Sequence, residues 1–252
     1  MLPRHVYLMF AGIGLAGPLA LWLGLRGFTS IEAIFLPTPW AVLERGWHWL
    51  QEEALLADLG ISLYRVTAGF ALSTALALPI GLMAGAFRPA EAMFEPLMDF
   101  IRYMPAVAFI PLVMLWVGIG EGSKMAIIFI GTFFQQVLMI AEDVRRVPQA
   151  QLEAAQTLGA TRAEVIRLVL WPSARPALLD TIRVTLGWAW TYLVVAELVA
   201  ANSGVGYAIL KAQRFLQTDK IFFGILLIGV IGLLQDQCLR FLHRRLFPWH
   251  RA

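Results

Sequence analysis

Glu197 stands where an acid is costly. It closes the uncharged run 184–196, and apolar residues continue beyond it to Leu210. An ionisable side chain at membrane depth costs about 2.5–3.5 kcal/mol on insertion scales, so it is by default a functional candidate. Near the end of a run, a carboxylate can also cap backbone N–H groups or pair with an arginine, and this structural or gating reading outweighs direct substrate contact. Asn202, five positions on, is the second candidate for a pathway or gating role. Glu153 has a different setting: it precedes Ala154 and Ala155, which permit close backbone approach, and its carboxylate suits a basic or hydroxyl partner on another protein. Glu95, Asp99 and Arg102 recur at i, i+4 and i+7, the spacing of an intrahelical ion pair.

Other chemistry is excluded by what the 252 residues lack. Neither G-x-S-x-G nor H-E-x-x-H occurs, so an intramembrane hydrolase has no motif to work with. His5, His48, His243 and His250 never fall at metal-ligand spacing, and Cys238 has no second cysteine to pair with. No G-x-x-x-x-G-K-[ST] phosphate loop is present; Gly122-Ser123-Lys124 lacks the Gly-Lys pair. The chain is therefore expected to be non-catalytic, to bind no cofactor or metal itself, and to draw any ATP energy from another polypeptide. A secondary transporter, the rival for a chain working alone, would show internal repeats and a midplane ion-coupling cluster, and neither is found.

The elements that position these residues are membrane spans. The composition is 59% hydrophobic and 15% charged, against about 25% charge in soluble domains. A bilayer core about 30 Å thick needs about 20 apolar residues per helix, which leaves room for about six spans and no separate catalytic domain. Uncharged runs at 6–25, 66–87, 103–120, 125–141, 184–196 and 221–235 predict an all-α membrane protein of about six transmembrane helices, forming one domain over 1–252. The first run is too long for a secretory signal and lacks an A-x-A site, so it is expected to be retained, with Pro18 a candidate kink. Leu43, Trp47 and Leu50 mark a short helix that lies in the membrane interface or packs on the bundle. Gly12, Gly14 and Gly17, and the GxxxG pair Gly81 and Gly85, predict close helix packing; Trp116, Trp188 and Trp190 are expected to pack or anchor. With the N-terminus inside, thirteen of the 20 lysines and arginines fall in inside segments and seven in outside ones, which places both termini in the cytoplasm.

The polar segment 142–183 is then a cytoplasmic loop. Pro148 can open a first helix over 149–158, and Gly159 supplies its stop. Thr161 with Glu164 forms a capping box for a second helix, which Pro172 is expected to stop. Two helices joined at a glycine corner make a compact projection suited to a cleft.

The residue order of that projection carries a resemblance. Glu153-Ala154-Ala155, three residues, Gly159, nine residues, then Val169-Leu170-Trp171-Pro172 resembles the EAA loop, E-A-A, x3, G, x9, I-x-L-P, of binding-protein-dependent ABC importer permeases. Val169 and Trp171 depart from the pattern. Phe35-Leu36-Pro37-Thr38-Pro39, Arg102-Tyr103-Met104-Pro105 and Gly118-Ile119-Gly120-Glu121-Gly122-Ser123-Lys124 are similar to the nitrate, sulfonate and taurine subfamily. The stretches 196–207 and 215–219 resemble its sulfonate and taurine branch, and the ending 244–250 looks most like taurine permeases.

This resemblance implies a type I, MetI-like fold in a bacterial inner membrane. It implies two permease copies on a shared axis, two ATP-binding subunits carrying ATP and Mg, and a periplasmic or surface-anchored solute-binding protein. The cargo implied is taurine or a related small sulfonate, with nitrate or bicarbonate as the alternative. Glu153, Ala154, Ala155, Leu158, Gly159, Ala160 and Pro172 would couple to the ATPase. Glu197 and Asn202 stay candidates for the pathway or its gate. Membrane lipid is the surrounding medium, and no nucleic-acid partner is expected.

Overall fold

A computed structural model describes residues 3–28 and 30–249. His250 and Arg251, used above in the histidine spacing, the ending and the charge count, lie outside the described residues, as does the start of the chain before Pro3. The elements are helical throughout the described residues: α1 Arg4–Phe28, α2 Pro39–Glu52, α3 Leu55–Ala86, α4 Arg88–Arg102, α5 Ile110–Val117 after a 3-10 turn Ala106–Phe109, α6 Glu121–Arg145, α7 Gln149–Thr157, α8 Arg162–Glu164, α9 Trp171–Ala200 after a π turn Val165–Leu170, α10 Val205–Arg214 and α11 Thr218–Leu246. The chain divides into two compact units, Met1–Leu56 with Ala208–Leu227, and Ala57–Tyr207 with Ile228–Ala252.

In the first unit, Pro18 sits inside α1, which continues through it as one helix. Gly12, Gly14 and Gly17 have nothing within 4 Å of where a Cβ would stand, so they do not mark close packing within this chain. Thr38 caps α2 by accepting from the Ala41 N–H at 3.2 Å, with Pro39 as the first helical residue. The face of α2 bearing Val42, Gly46 and Trp49 is buried, and a Cβ on Gly46 would meet the Phe223 ring at 2.0 Å. Leu43, Trp47 and Leu50 form the neighbouring, exposed stripe. The helix therefore packs by one face and leaves the next one exposed.

The second unit is built around α6. Gly69, Gly81 and Gly85 lay α3 against its backbone: a Cβ on Gly85 would meet the Ala141 carbonyl and Val144 Cβ at 2.6 Å, and one on Gly81 the Val137 carbonyl at 2.8 Å. The GxxxG pair is thus a close helix contact, as small residues at membrane helix interfaces permit. Val137, Ile140 and Val144 of α6 pack with Ala77 of α3, Met98 of α4 and Leu170, Ala174 and Leu178 of the π turn and α9. Ile128 packs with Val66 and Phe70 of α3 and Ala189 and Leu193 of α9. A polar layer crosses this core: Thr132 donates to Ser73 (2.9 Å), Ser73 to Gln136 (3.0 Å), and the Gln136 amide to Thr74 (3.0 Å) and Thr185 (3.3 Å). Trp190 is buried and donates to Gln235 at 2.7 Å, whereas Trp116 is exposed.

Among the described residues four helices are long and apolar enough to cross a membrane, Leu55–Ala86, Glu121–Arg145, Arg162–Val199 and Thr218–Leu246, a bent pair can supply a fifth, and Gly12–Phe28 is a shorter apolar helix. Two expectations need correction. The run 103–120 is not a straight span: α4 and the segment Ala106–Val117 meet at 89°. Pro105 forces the break, since it disfavours a helical Met104 and brings no N–H, while Gly118 at φ +84° ends α5 after eight residues. Pro172 does not stop the second loop helix, because residues 162–199 form one continuous helix of 38 residues. The π turn shifts the ladder by one, with the Trp171 N–H bonding the Ile166 carbonyl, so the ring that would clash in a regular α turn is accommodated. The polar segment 142–183 accordingly begins within α6 and ends within α9, which leaves a much shorter projection between them.

Candidate functional site

Two sites stand at the two ends of α6. At its Arg145 end, α7 opens after Pro148 and buries no residue. Its C-terminus closes as a Schellman motif: the Gly159 N–H bonds the Gln156 carbonyl at 2.9 Å and the Ala160 N–H bonds the Ala155 carbonyl at 3.1 Å. The motif needs a left-handed residue, and Gly159 has φ +86°. Thr161 then caps α8: its N–H and hydroxyl both reach the Glu164 carboxylate at 2.7 Å, and the Glu164 N–H returns to its oxygen. The result is a stiff corner between two helices. On it Glu153, Ala154 and Gly159 are exposed, Leu158 is 88% exposed, and Ala155 and Ala160 are half-buried. Ser173 donates to Gln151 across the corner at 3.1 Å, beside Pro172, tying α7 to the start of α9.

At the Glu121 end, Glu197 is sealed from solvent and pairs with an arginine, as one branch of the sequence reading allowed. Arg65 of α3, also fully buried, donates from Nη1 to Glu197 Oε1 at 2.6 Å and to the Ser203 carbonyl at 2.7 Å. Its Nε and Nη2 grip Glu121 as a fork at 2.6 and 2.8 Å, and Nη2 also reaches the Ser203 hydroxyl at 3.1 Å. All five guanidinium N–H donors are therefore engaged. Lys124 binds Glu121 at 2.8 Å, so two cations meet two carboxylates.

The glycine loop completes this lock. Glu197 accepts from the Gly206 N–H at 2.8 Å, the Ser62 hydroxyl accepts from the Val205 N–H at 2.9 Å, and Asp58 accepts from the Gly204 N–H at 2.8 Å. The orphan N–H groups at the start of α10 are thus capped from α3 and α9. A Cβ on Gly204, at φ +105°, would stand 2.3 Å from the Glu197 carboxylate. Asn202, from the same loop, is exposed and is not brought into the lock.

Arg65, Glu121, Ser62 and Asp58 are the members that sequence reasoning missed. Arg65 was counted among the outside charges, yet it lies ten residues into α3 and is fully buried. Its one sequence signal was an arginine directly before the uncharged run that opens at Val66. Of the ion pair expected on α4, Arg102 does hold Asp99 at 3.0 Å, but Glu95 turns to Arg145 of α6.

Comparison with known proteins adds to this geometry. The sequence pattern of the family described as binding-protein-dependent transport system inner membrane component matches residues 77–248. The chain is 35% identical over 241 residues to the taurine transport system permease protein TauC of Escherichia coli strain K12, covering 94% of this chain and 88% of that one. It is 37% identical over 234 residues to a putative aliphatic sulfonates transport permease protein, SsuC, of Bacillus subtilis strain 168, covering 93% and 85%. In structure it is similar to an amino acid ABC transporter crystallised with histidines, with a TM-score of 0.67 and 16% identity over 86% of this chain and all of that one.

Proposed function

The chain belongs to the binding-protein-dependent transport system inner membrane components, and on that premise we propose that it is the permease through which a separate ATPase drives import of taurine or a closely related small sulfonate. As a multi-pass inner membrane component of an ABC importer it is a non-catalytic subunit that works with an ATPase and a binding protein. In the proposal two copies of the permease stand over two ATP-binding subunits that carry the ATP and Mg, and both termini lie in the cytoplasm.

The observation that carries the reading is α7: a helix with no buried residue, closed at its C-terminus by a Schellman motif, has a surface prepared for another protein. Glu153, Ala154, Ala155, Leu158, Gly159 and Ala160 form the docking face, and the Pro172 region returns its motion to α9. A corner fixed by a Schellman motif and a capping box can transmit rigid-body movement. Glu197 anchors the opposite end; its charge is already neutralised by Arg65, so it does not serve as a substrate contact. The cargo rests on likeness to the taurine and aliphatic sulfonate permeases.

The test is uptake by proteoliposomes holding this chain, its ATPase and its binding protein. The expected result is taurine accumulation that requires ATP inside the ATPase compartment. Import by the permease without the ATPase, or ATP-driven import of nitrate or bicarbonate with no sulfonate, would overturn the proposal.

A further inference from the structure

Two hollows lie end to end in the second unit. The first, of about 320 Å³, sits at the bend of the third span and is lined by Arg102, Phe134 and Gln135, with Trp188, Thr191 and Tyr192 of α9. The second, of about 370 Å³, shares Arg102 and Gln135 with it and runs on past Glu142 to Arg145 and Arg146, toward α7. Gln135, Leu138, Met139 and Glu142 follow each other at i, i+3, i+4 and i+7, so one stripe of α6 lines the whole groove while Val137, Ile140 and Val144 on the other side fill the core. Polar side chains along a spanning helix belong to a pathway or to the bundle interior.

We propose that the first hollow binds a short amino-sulfonate during its passage, with Arg102 and Gln135 on the sulfonate and the Trp188 and Tyr192 rings on the ammonium. This rests on the cargo reading above and deepens it. Arg102 is the one ionisable charge among the first hollow's lining residues. Asp99 holds its Nε side at 3.0 Å and the Tyr103 hydroxyl accepts from Nη2 at 3.1 Å, so the plane of the guanidinium is fixed with Nη1 left to the hollow. A guanidinium donor held in this way suits an oxyanion group, and the faces of indole and phenol rings attract a cation. Gly131 makes the wall: a Cβ there would stand 2.4 Å from the Tyr192 ring, so only glycine lets that ring lie on α6 beside Arg102. A two-carbon zwitterion fits a space at the small end of ligand pockets.

The second hollow differs in charge. Its lining carries four carboxylates, Glu95, Asp99, Glu142 and Asp143, against three guanidiniums, Arg102, Arg145 and Arg146, so it holds no deep anion well. A site that binds followed by one that does not is what net passage needs.

The experiment uses the complete complex with its ATPase and binding protein, on a Cys238→Ser background that removes the chain's one thiol. Thr191→Cys places a reporter in the first hollow, and Phe215→Cys, at an exposed position, is the control. The probe is 2-sulfonatoethyl methanethiosulfonate. Saturating taurine is expected to slow labelling of Thr191→Cys by roughly ten-fold and to leave Phe215→Cys unchanged. Arg102→Gln is expected to abolish that protection and to lower taurine uptake roughly ten- to hundred-fold, the loss of a charge-assisted bond, while binding-protein-stimulated ATP hydrolysis persists. Arg102→Lys should recover part of the uptake. Taurine-insensitive labelling together with full uptake by Arg102→Gln overturns the inference and leaves the transport reading standing. A parent complex that imports no sulfonate overturns both.

Discussion

At the Glu121 end of α6, Arg65 and Glu197 are fully buried and every guanidinium donor has an acceptor. At the Arg145 end, the nine residues of α7 bury nothing, and Leu158 stands 88% exposed. The two ends are joined by a helix of 25 residues, about 37 Å long. Both are rigid, but for different reasons. The buried end is fixed by long-range ionic bonds among three helices and a loop, and the exposed end by local capping within some fifteen residues. One end is an anchor, whose loss should be felt as stability. The other is the proposed contact surface, whose loss should be felt as function alone.

The largest break should come from Glu197→Ala. It leaves the Arg65 guanidinium short of a partner and strips the Gly206 N–H of its acceptor, and removing one member of a buried pair costs about 3–5 kcal/mol. The measurement is thermal unfolding of the purified chain, with a fall in Tm expected. Replacing both members, Arg65→Met with Glu197→Leu, should recover much of the loss, because Glu121 keeps Lys124 as its partner at 2.8 Å. A double variant as unstable as the single one would show that the network contributes more than charge balance.

Gly159→Val sharpens the contrast from the other end. A β-branched residue at φ +86° costs about 1–2 kcal/mol in backbone strain. No neighbour lies within 4 Å to add a clash, so the strain stays in the corner. Membrane insertion and the unfolding of the second unit should be nearly unchanged, while uptake falls and ATP hydrolysis no longer responds to the loaded binding protein. Normal uptake by this variant would count against the docking role of α7.

The same contrast explains what could be read from the residues alone. Gly159, Thr161 with Glu164, and Pro148 act over three or four positions, so their spacing discloses the corner they make. Gly81 and Gly85 disclose a contact because one turn of helix separates them, although spacing does not name the partner; Gly12, Gly14 and Gly17 show the same composition with no neighbour inside this chain. Arg65 meets Glu197 across 132 residues, and no local pattern encodes such a pairing. The bend at Pro105 was visible as a proline but not as an angle, because the 89° turn depends on where α4 and α5 dock. Pro172 misled for a related reason: a π turn just ahead of it, with Val165 and Leu170 buried, removes the clash that usually ends a helix.

Glu153→Lys is the smallest change to the chain itself and the most discriminating one for the surface. Glu153 is exposed, and the Thr157 hydroxyl bonds its backbone carbonyl rather than its carboxylate, so reversal of charge leaves the helix intact. Surface substitutions of this kind shift stability by no more than about 0.5 kcal/mol. Across an interface, losing one charged partner and setting like charges together costs about 2–5 kcal/mol, which weakens association roughly thirty-fold or more. Tagged permease carrying Glu153→Lys should therefore keep its Tm and lose its co-purifying ATPase, with compensation from a Glu placed at the cognate basic site of that subunit. Undiminished capture of the ATPase would assign the contact to the apolar part of the face, Leu158 and the alanine backbone, and would separate the geometry of the corner from the charge it carries.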